Sequence, residues 1–228
     1  TLEDIFDVKF KNEIEVKSFL DNIRNKELKP SNTDEFFESQ IGNKLADIFF
    51  RPYTKKMWGT EPKNLSVGIG SRLPIRINYD DRYFNDSFQA LPKNGYKNLI
   101  ENIFDHKNIR VKLNCLFDKR MEKFYTHSFL CIPIDSYYNF KFGRLPYRSI
   151  LFENHLIHRD DLLAPVLNFT DNSKYTRMTQ WSLFPNSGKS KNTRKTFTYE
   201  IPCSMEKNPN EYYYPVQTKE SKNLYQKY

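Results

Sequence analysis

Phe49–Gly95 reads FFRPYTKKMWGTEPKNLSVGIGSRLPIRINYDDRYFNDSFQALPKNG, and it separates a part of the 228-residue chain patterned for helices from a part patterned for strands. Upstream, Val16, Phe19, Leu20 and Ile23 recur at i, i+3, i+4 and i+7, which predicts an amphipathic helix from about Glu13 to Arg24. Lys29-Pro30 closes that segment. Asn32 with Glu35 three residues on forms a helix-start box, and Phe37, Ile41, Leu45 and Ile48 carry an apolar stripe onward despite Gly42. Pro52 should stop this second helix near Phe50, because proline lacks the N–H that helix continuation needs. Downstream, Pro92-Lys-Asn-Gly95 is a turn signal, and Tyr96, Leu99, Ile100, Ile103 and Phe104 again share one helix face.

The remaining runs have the period of strands. Ile109, Val111 and Leu113 alternate with Arg110, Lys112 and Asn114, so a half-buried strand is expected there. Phe124–Ile132, Arg148–Glu153, Val166–Phe169, Tyr175–Trp181 and Thr196–Ile201 are β-branched or aromatic runs separated by turns, and they predict an antiparallel sheet. The expected fold class is α+β, with an N-terminal helical bundle followed by a mixed region containing an antiparallel β-sheet. The expected division is 1–85, a helical substrate-binding region with a mobile loop at about 59–79, and 86–228, the α+β region. No repeat, heptad or low-complexity tract is present, which drops solenoid and coiled-coil architectures.

With 38% hydrophobic and 16% aromatic residues, the chain can bury a sizeable core. No run of eighteen apolar residues occurs, and Thr1-Leu-Glu-Asp4 has no leader character, so neither a membrane span nor a signal peptide is expected and the location expected is cytoplasmic. Cys115, Cys131 and Cys203 are odd in number and lack CxxC spacing, which argues against a disulfide framework or zinc site and for buried thiols. A net charge of +8 attracts anions without choosing among nucleic acid, an acidic membrane surface and a phosphorylated metabolite. The densest basic cluster, Lys189, Lys191, Arg194 and Lys195, reads as a solvated hairpin loop.

Within the dividing stretch, Phe49, Phe50, Tyr53, Trp58, Tyr83 and Phe84 offer π-faces on which a base can stack, at ~1–3 kcal/mol per base. Arg72 and Arg76 add planar guanidinium donors that meet phosphate oxygens two at a time, so the combination suits a nucleotide. Ser66-Val-Gly-Ile-Gly-Ser71 holds two of only seven glycines and reads as a flexible loop able to close on a ligand. By composition alone the same aromatics are better read as core and the arginines as a solvated face. Gly68-Ile-Gly70 does not continue to a third glycine and follows no apolar strand, so it is not a dinucleotide fingerprint. His155 and His158 read as exposed, no metal site is expected, and neither a GxSxG element nor a partnered His supplies a nucleophile.

The strings PYTKKMWG, SRLPIR, DRYFNDSFQALPKNGY, FGRLPYRSILFE, NFTD followed by YTR, and YYYPV occur in the order and near-spacing of UDP-galactopyranose mutases, and the chain resembles that family over nearly its whole length. The similarity covers the middle of such an enzyme, without the dinucleotide-binding start or the second flavin-contacting end. The resemblance implies an isomerase that interconverts the pyranose and furanose forms of a UDP-sugar. Its nucleophile would be N5 of reduced FAD instead of a side chain, with the protein holding UDP throughout. Carried over by motif, Arg72 and Arg177 would flank the diphosphate as the catalytic pair. Phe49 and Tyr53 would line the uracil pocket, Trp58 would sit near the ribose, and Tyr83, Phe84 and Tyr214 would lie beside the phosphates. Asn168 would lie near the sugar and flavin, and Arg148 would contact the flavin unless it pairs only with Glu153. The implied partner is a UDP-sugar and not nucleic acid, with a homodimer compatible; this segment alone should hold no FAD and be inactive.

The chain departs from the family where Cys131-Ile132 replaces the usual Thr-Gly, since Ile132 cannot take positive φ cheaply. It departs again in Met178-Thr-Gln-Trp-Ser-Leu-Phe184, and one residue is missing between Asn168 and Arg177. These changes leave open a related mutase acting on another nucleotide-linked hexose or deoxyhexose. The alternative class is a non-enzymatic basic and aromatic module for single-stranded nucleic acid.

Overall fold

The computed structural model describes residues 1–71, 75–80, 82, 84–158, 160–185 and 194–228. The fold is α+β as expected, with helices first and an antiparallel sheet after them. Helix α1 (Leu2–Phe6) leads into α2 (Glu13–Ile23), whose N-terminus is capped by the Asn12 side chain accepting from the Glu15 N–H. In α3 (Thr33–Leu45) the start box forms in both directions: Asn32 Oδ1 accepts from the Glu35 N–H at 3.0 Å and Glu35 Oε2 accepts from the Ser31 N–H at 2.7 Å. Leu20, Phe37, Ile41, Leu45 and Ala46 bury together where α2 and α3 cross. Gly42 permits that crossing. Its φ is +75°, and a Cβ there would lie 2.2 Å from the Ile23 carbonyl oxygen.

Pro52 does not end the helical run. Ala46–Phe50 form a wide π turn in which the Arg51 N–H reaches back to the Ala46 carbonyl, and α4 (Arg51–Trp58) continues from it. The change of hydrogen-bond register falls where proline's missing donor would otherwise break the ladder. Arg51 ties the junction down through Asp34, Asp47 and Asn43.

The glycine-containing segment is folded onto this scaffold. After a 3₁₀ turn at Pro62–Asn64 comes α5 (Val67–Gly70), with Leu65 and Ile69 buried beside Trp58. Thr33 donates from its backbone N–H to the Leu65 carbonyl at 3.0 Å and from its hydroxyl to the Ser66 carbonyl at 2.6 Å. Ser66 in turn donates to the Gln217 carbonyl at 3.1 Å. The segment read as a loop is therefore helical and anchored through residue 70, while residues 72–74 lie outside the described residues.

Helix α6 (Gly95–Phe104) forms where its stripe predicts but buries none of its residues. The strand expected at Ile109–Leu113 is absent, as is the one expected at Phe124–Ile132. Alternation states which side of a strand is apolar but supplies no neighbour, and a lone strand is not stable. Cys115 and Cys131 are exposed in this segment, contrary to the expected buried thiols; only Cys203 is buried, and all three are free. Ile132 avoids positive φ, which among the described non-glycine residues falls at Asp7, Asn114, Asn139 and Phe140.

After α7 (Ile134–Tyr137), five strands among the described residues make one antiparallel sheet: β1 (Tyr147–Ile157), β2 (Val166–Asn168), β3 (Arg177–Gln180), β4 (Lys195–Ser204) and β5 (Tyr214–Pro215), in the order β2-β3-β4-β1-β5. Of the basic cluster read as a hairpin loop, Lys189 and Lys191 lie outside the described residues, while Lys195 opens β4 and pairs with Asp161 at 2.8 Å. Helix α8 (Lys219–Tyr225) closes the chain. No described helix is long and apolar enough to cross a membrane, and no cluster of metal-ligating side chains occurs among the described residues.

Candidate functional site

Strand register determines which side chains share a face. Asn168 on β2 sits opposite Arg177 on β3, Arg177 opposite Glu200 on β4, and Arg148 on β1 opposite Tyr214 on β5. Alternation then places Asn168, Arg177, Glu200, Arg148 and Tyr214 on one side of the sheet. Helix α4 lies across that side and is held at two points. At one, Lys56 Nζ donates to the carbonyls of Phe169 at 2.8 Å and Tyr175 at 2.7 Å, in the turn joining β2 to β3. At the other, Arg148 donates from Nε to the Met57 carbonyl at 2.9 Å and from Nη2 to the Lys56 carbonyl at 3.2 Å. These carbonyls belong to the last turn of α4, where backbone acceptors lack helical partners and a cation meets the negative end of the helix dipole.

Gly59 makes the Arg148 contact fit. It caps α4 at φ +67°, and a Cβ there would lie 2.7 Å from Arg148 Nη1. Burial pushes the Arg148 guanidinium below its ordinary pKa, and Glu206 opposes that fall. Arg148 does not pair with Glu153. Five residues along a strand put the two on opposite faces, and Glu153 instead accepts from Lys174 Nζ at 2.7 Å and the Tyr175 hydroxyl at 3.0 Å.

Tyr53 is carried by α4 onto this face. Burial raises its phenol pKa, and Arg177 opposes the rise by charge and a side-chain hydrogen bond; Glu200 and Tyr214 are also close enough to act on it. The phenol is thus neutral and able to donate across the working pH range. Arg177 Nε donates to Asn168 Oδ1 at 3.3 Å, and Nη1 lies 3.5 Å from Glu200 Oε1, with 39% of the arginine side chain exposed. Both contacts are loose for a guanidinium, which leaves it able to turn toward an incoming anion.

The structure thus brings Tyr53, Asn168, Arg177 and Tyr214 together. It adds Glu200 and Lys56, which the sequence reading did not single out. Glu200 carried a usable signal, since it lies in the alternating run on the face shared with Thr196 and Thr198; Lys56 lay unremarked inside PYTKKMWG. Trp58 is buried at 6% exposure, packed edge-on against Tyr214 and against Leu65 and Ile69. It underlies the cluster and is not an exposed ring waiting for a ligand. Phe49 is half-buried against Phe50 and the helical core, and Phe84 is more than half exposed in the segment that follows residue 82. Arg72 and Tyr83 lie outside the described residues.

Comparison with known proteins bears on what this face is for. The family model "UDP-galactopyranose mutase" matches residues 48–228. The chain belongs to the UDP-galactopyranose mutase family. It is 37% identical over 197 residues to a probable UDP-galactopyranose mutase of Klebsiella pneumoniae, covering 84% of this chain and 50% of that protein. A dTDP-fucopyranose mutase of Escherichia coli is 33% identical over 209 residues, covering 86% and 55% respectively. A UDP-galactopyranose mutase of Mycoplasma genitalium is 30% identical over 199 residues, covering 81% and 49%. The chain therefore spans about half the length of these mutases. The family-matched region includes α4 and every strand, and so every member of the cluster around Arg177.

Proposed function

We propose that this chain holds the nucleotide of a sugar nucleotide for pyranose–furanose interconversion, with UDP-galactose as the leading substrate. The observation that carries the reading is the meeting of Tyr53, Asn168, Arg177 and Tyr214, from four separate elements, on one face of the sheet. Arg177 takes a diphosphate oxygen through its planar donors, and Asn168 and Glu200 aim it. The neutral Tyr53 phenol donates a hydrogen bond to the same group, since its raised pKa keeps the proton in place. Arg72, Tyr83 and Phe84 extend the same reading to the far side of the diphosphate, and Phe49 to the base, with Trp58 supporting Tyr214 from beneath.

A mutase must release and recapture the nucleoside diphosphate without losing it, so phosphate grip and orientation are the protein's main tasks. Reduced FAD, the cofactor implied by the family resemblance, would supply the attacking electron pair when bound. Arg148, the residue expected beside it, directs Nε and Nη2 to the carbonyls of Met57 and Lys56. The residues of this chain therefore account for binding and orientation. A dTDP-linked deoxyhexose is the second reading, favoured by the likeness to the dTDP-fucopyranose mutase over 86% of the chain.

Calorimetric titration with UDP and dTDP tests both. One nucleotide should bind at a single site, with Arg177→Ala weakening it by at least about tenfold, the cost of one lost charge-assisted hydrogen bond. A single diphosphate should also show a shallow salt dependence, against the steep loss expected for a nucleic-acid polymer. No saturable binding of either nucleotide, or affinity unchanged in Arg177→Ala, refutes the proposal.

A further inference from the structure

Lys56 sits one helical turn past Tyr53 on α4 and on the same side of it, because residues three apart are neighbours on a helix surface. Only 16% of its side chain is exposed. Its ammonium donates to the carbonyls of Phe169 at 2.8 Å and Tyr175 at 2.7 Å and lies 3.4 Å from Asp171 Oδ1. The two short contacts go to neutral acceptors and the long one to a carboxylate that is 62% exposed, so hydrogen-bond geometry holds this lysine more than an ion pair does. Phe169 and Tyr175 lie at the two ends of the turn joining β2 to β3. Asn168 directly precedes the first, and Arg177 follows the second by two residues. The Phe169 N–H donates to the Thr176 carbonyl at 3.0 Å and the Thr176 N–H to the Glu200 carbonyl at 3.0 Å, so the turn is fastened to β4 on one side and to α4 on the other.

We propose that Lys56 is a positioning residue: through the carbonyls of Phe169 and Tyr175 it sets the Asn168–Arg177 pair at the distance from Tyr53 at which both sides meet one diphosphate. The inference rests on the nucleotide reading above and adds to it a residue that acts through its neighbours and not on the ligand. Without the ammonium, α4 and the turn lose these hydrogen bonds, and two part-buried carbonyls must be satisfied by water instead. The turn then relaxes about the fastening that Thr176 keeps. Arg177 Nε and Asn168 Oδ1, already 3.3 Å apart, drift from the arrangement in which Tyr53 reaches the guanidinium. A displacement of about 1 Å is enough to cost a positioned group much of its effect. Charge alone does not account for the placement. Lys174 lies in the same turn with the same charge, yet it donates to Glu153 Oε1 at 2.7 Å, on the opposite face of the sheet.

The test is a double-mutant cycle with UDP, read by calorimetry, together with the Nε–H resonance of Arg177 in the unliganded chain, assigned by its loss in Arg177→Ala. Lys56→Met should weaken UDP by about tenfold and shift the Arg177 resonance before any nucleotide is added, with amide protection in β1 and β4 unchanged. In an Arg177→Ala background the same substitution should cost less than about threefold, because a residue that acts through Arg177 has nothing left to position. Lys174→Met removes an equal charge from the turn and should leave UDP affinity within about twofold and the resonance in place. Where Lys56→Met loses protection in β1 and β4, the cycle is run with Lys56→Gln, which keeps a donor but is too short to span both carbonyls. UDP affinity unchanged by the substitution at Lys56, or weakened equally in the wild-type and Arg177→Ala backgrounds, overturns the proposal. So does an unmoved Arg177 resonance, a Lys174→Met variant as impaired as Lys56→Met, or loss of β1 and β4 protection in both Lys56 variants. Absence of UDP binding by the wild-type chain refutes the nucleotide reading instead, and the unliganded resonance then decides whether Lys56 sets Arg177.

Discussion

Arg148 joins the sheet to the end of α4, and its replacement by Met gives a quantitative test. Met keeps a flexible apolar stem of similar length and removes the hydrogen bonds to Met57 and Lys56. Each charge-assisted hydrogen bond contributes ~1.5–3 kcal/mol. The loss is partly offset because the guanidinium, whose pKa burial depresses, no longer has to be desolvated. The carbonyls at the end of α4 also regain some water, so the net destabilisation should be about 2–3 kcal/mol. For a domain of this size, 1 kcal/mol shifts Tm by ~2–4 °C, which gives a fall of about 4–12 °C by differential scanning calorimetry. Arg177→Met removes two loose contacts, to Asn168 and Glu200, and the interaction with Tyr53 from a side chain that is 39% exposed, and it should shift Tm by no more than ~2–4 °C, the equivalent of 1 kcal/mol. If Arg148→Met melts within about a degree of the wild type while Arg177→Met melts far below it, the assignment of Arg148 to α4 and of Arg177 to the ligand is wrong.

Gly42→Ala should be the most damaging single methyl group in the helical region, because its Cβ would meet the Ile23 carbonyl at 2.2 Å on a backbone held at φ +75°. A loss of at least ~3 kcal/mol in urea unfolding is expected, and a loss below ~1 kcal/mol would refute the α2–α3 crossing. In a Trp181→Phe variant the remaining indole, Trp58, should emit as a buried chromophore before any nucleotide is added and shift little on adding UDP; solvent-exposed emission would contradict its packing against Tyr214 and Leu65. Glu153 has a folded pKa held below the carboxylate norm, first by its hydrogen bond from Lys174 and then by that from Tyr175. Because the folded value is depressed, its contribution is fully present above the unfolded carboxylate range near pH 4.5 and is lost as pH falls toward the folded value. Glu153→Gln should therefore lower stability at pH 7 but not well below pH 4, and an equal loss at both would remove the linkage.

By itself the sequence determined the elements whose signals are local. The i, i+3, i+4 stripe sufficed for α2, because one apolar face on a 3.6-residue period has few other uses. Asn32 and Glu35 sufficed for the start of α3, because the two side chains satisfy helix-terminal donors only at that spacing. Runs of β-branched and aromatic residues between turns located β1, β2, β3 and β4, and the family's order of motifs identified Tyr53, Asn168, Arg177 and Tyr214 as candidates that the fold then brought into one group. Tertiary structure decided whatever depended on a distant neighbour. Pro52 reads as a stop until a π turn moves the hydrogen-bond register past it. The packing of Trp58 against Leu65 and Ile69, and the hydrogen bonds of Arg148 to carbonyls at the end of α4, some 90 residues away in sequence, are visible only in the fold. Ile109, Val111 and Leu113 show the same limit from the other side. Their alternation is written in the chain, but a strand exists only where another strand completes its hydrogen bonds, and that partner is not encoded in the period of the residues themselves.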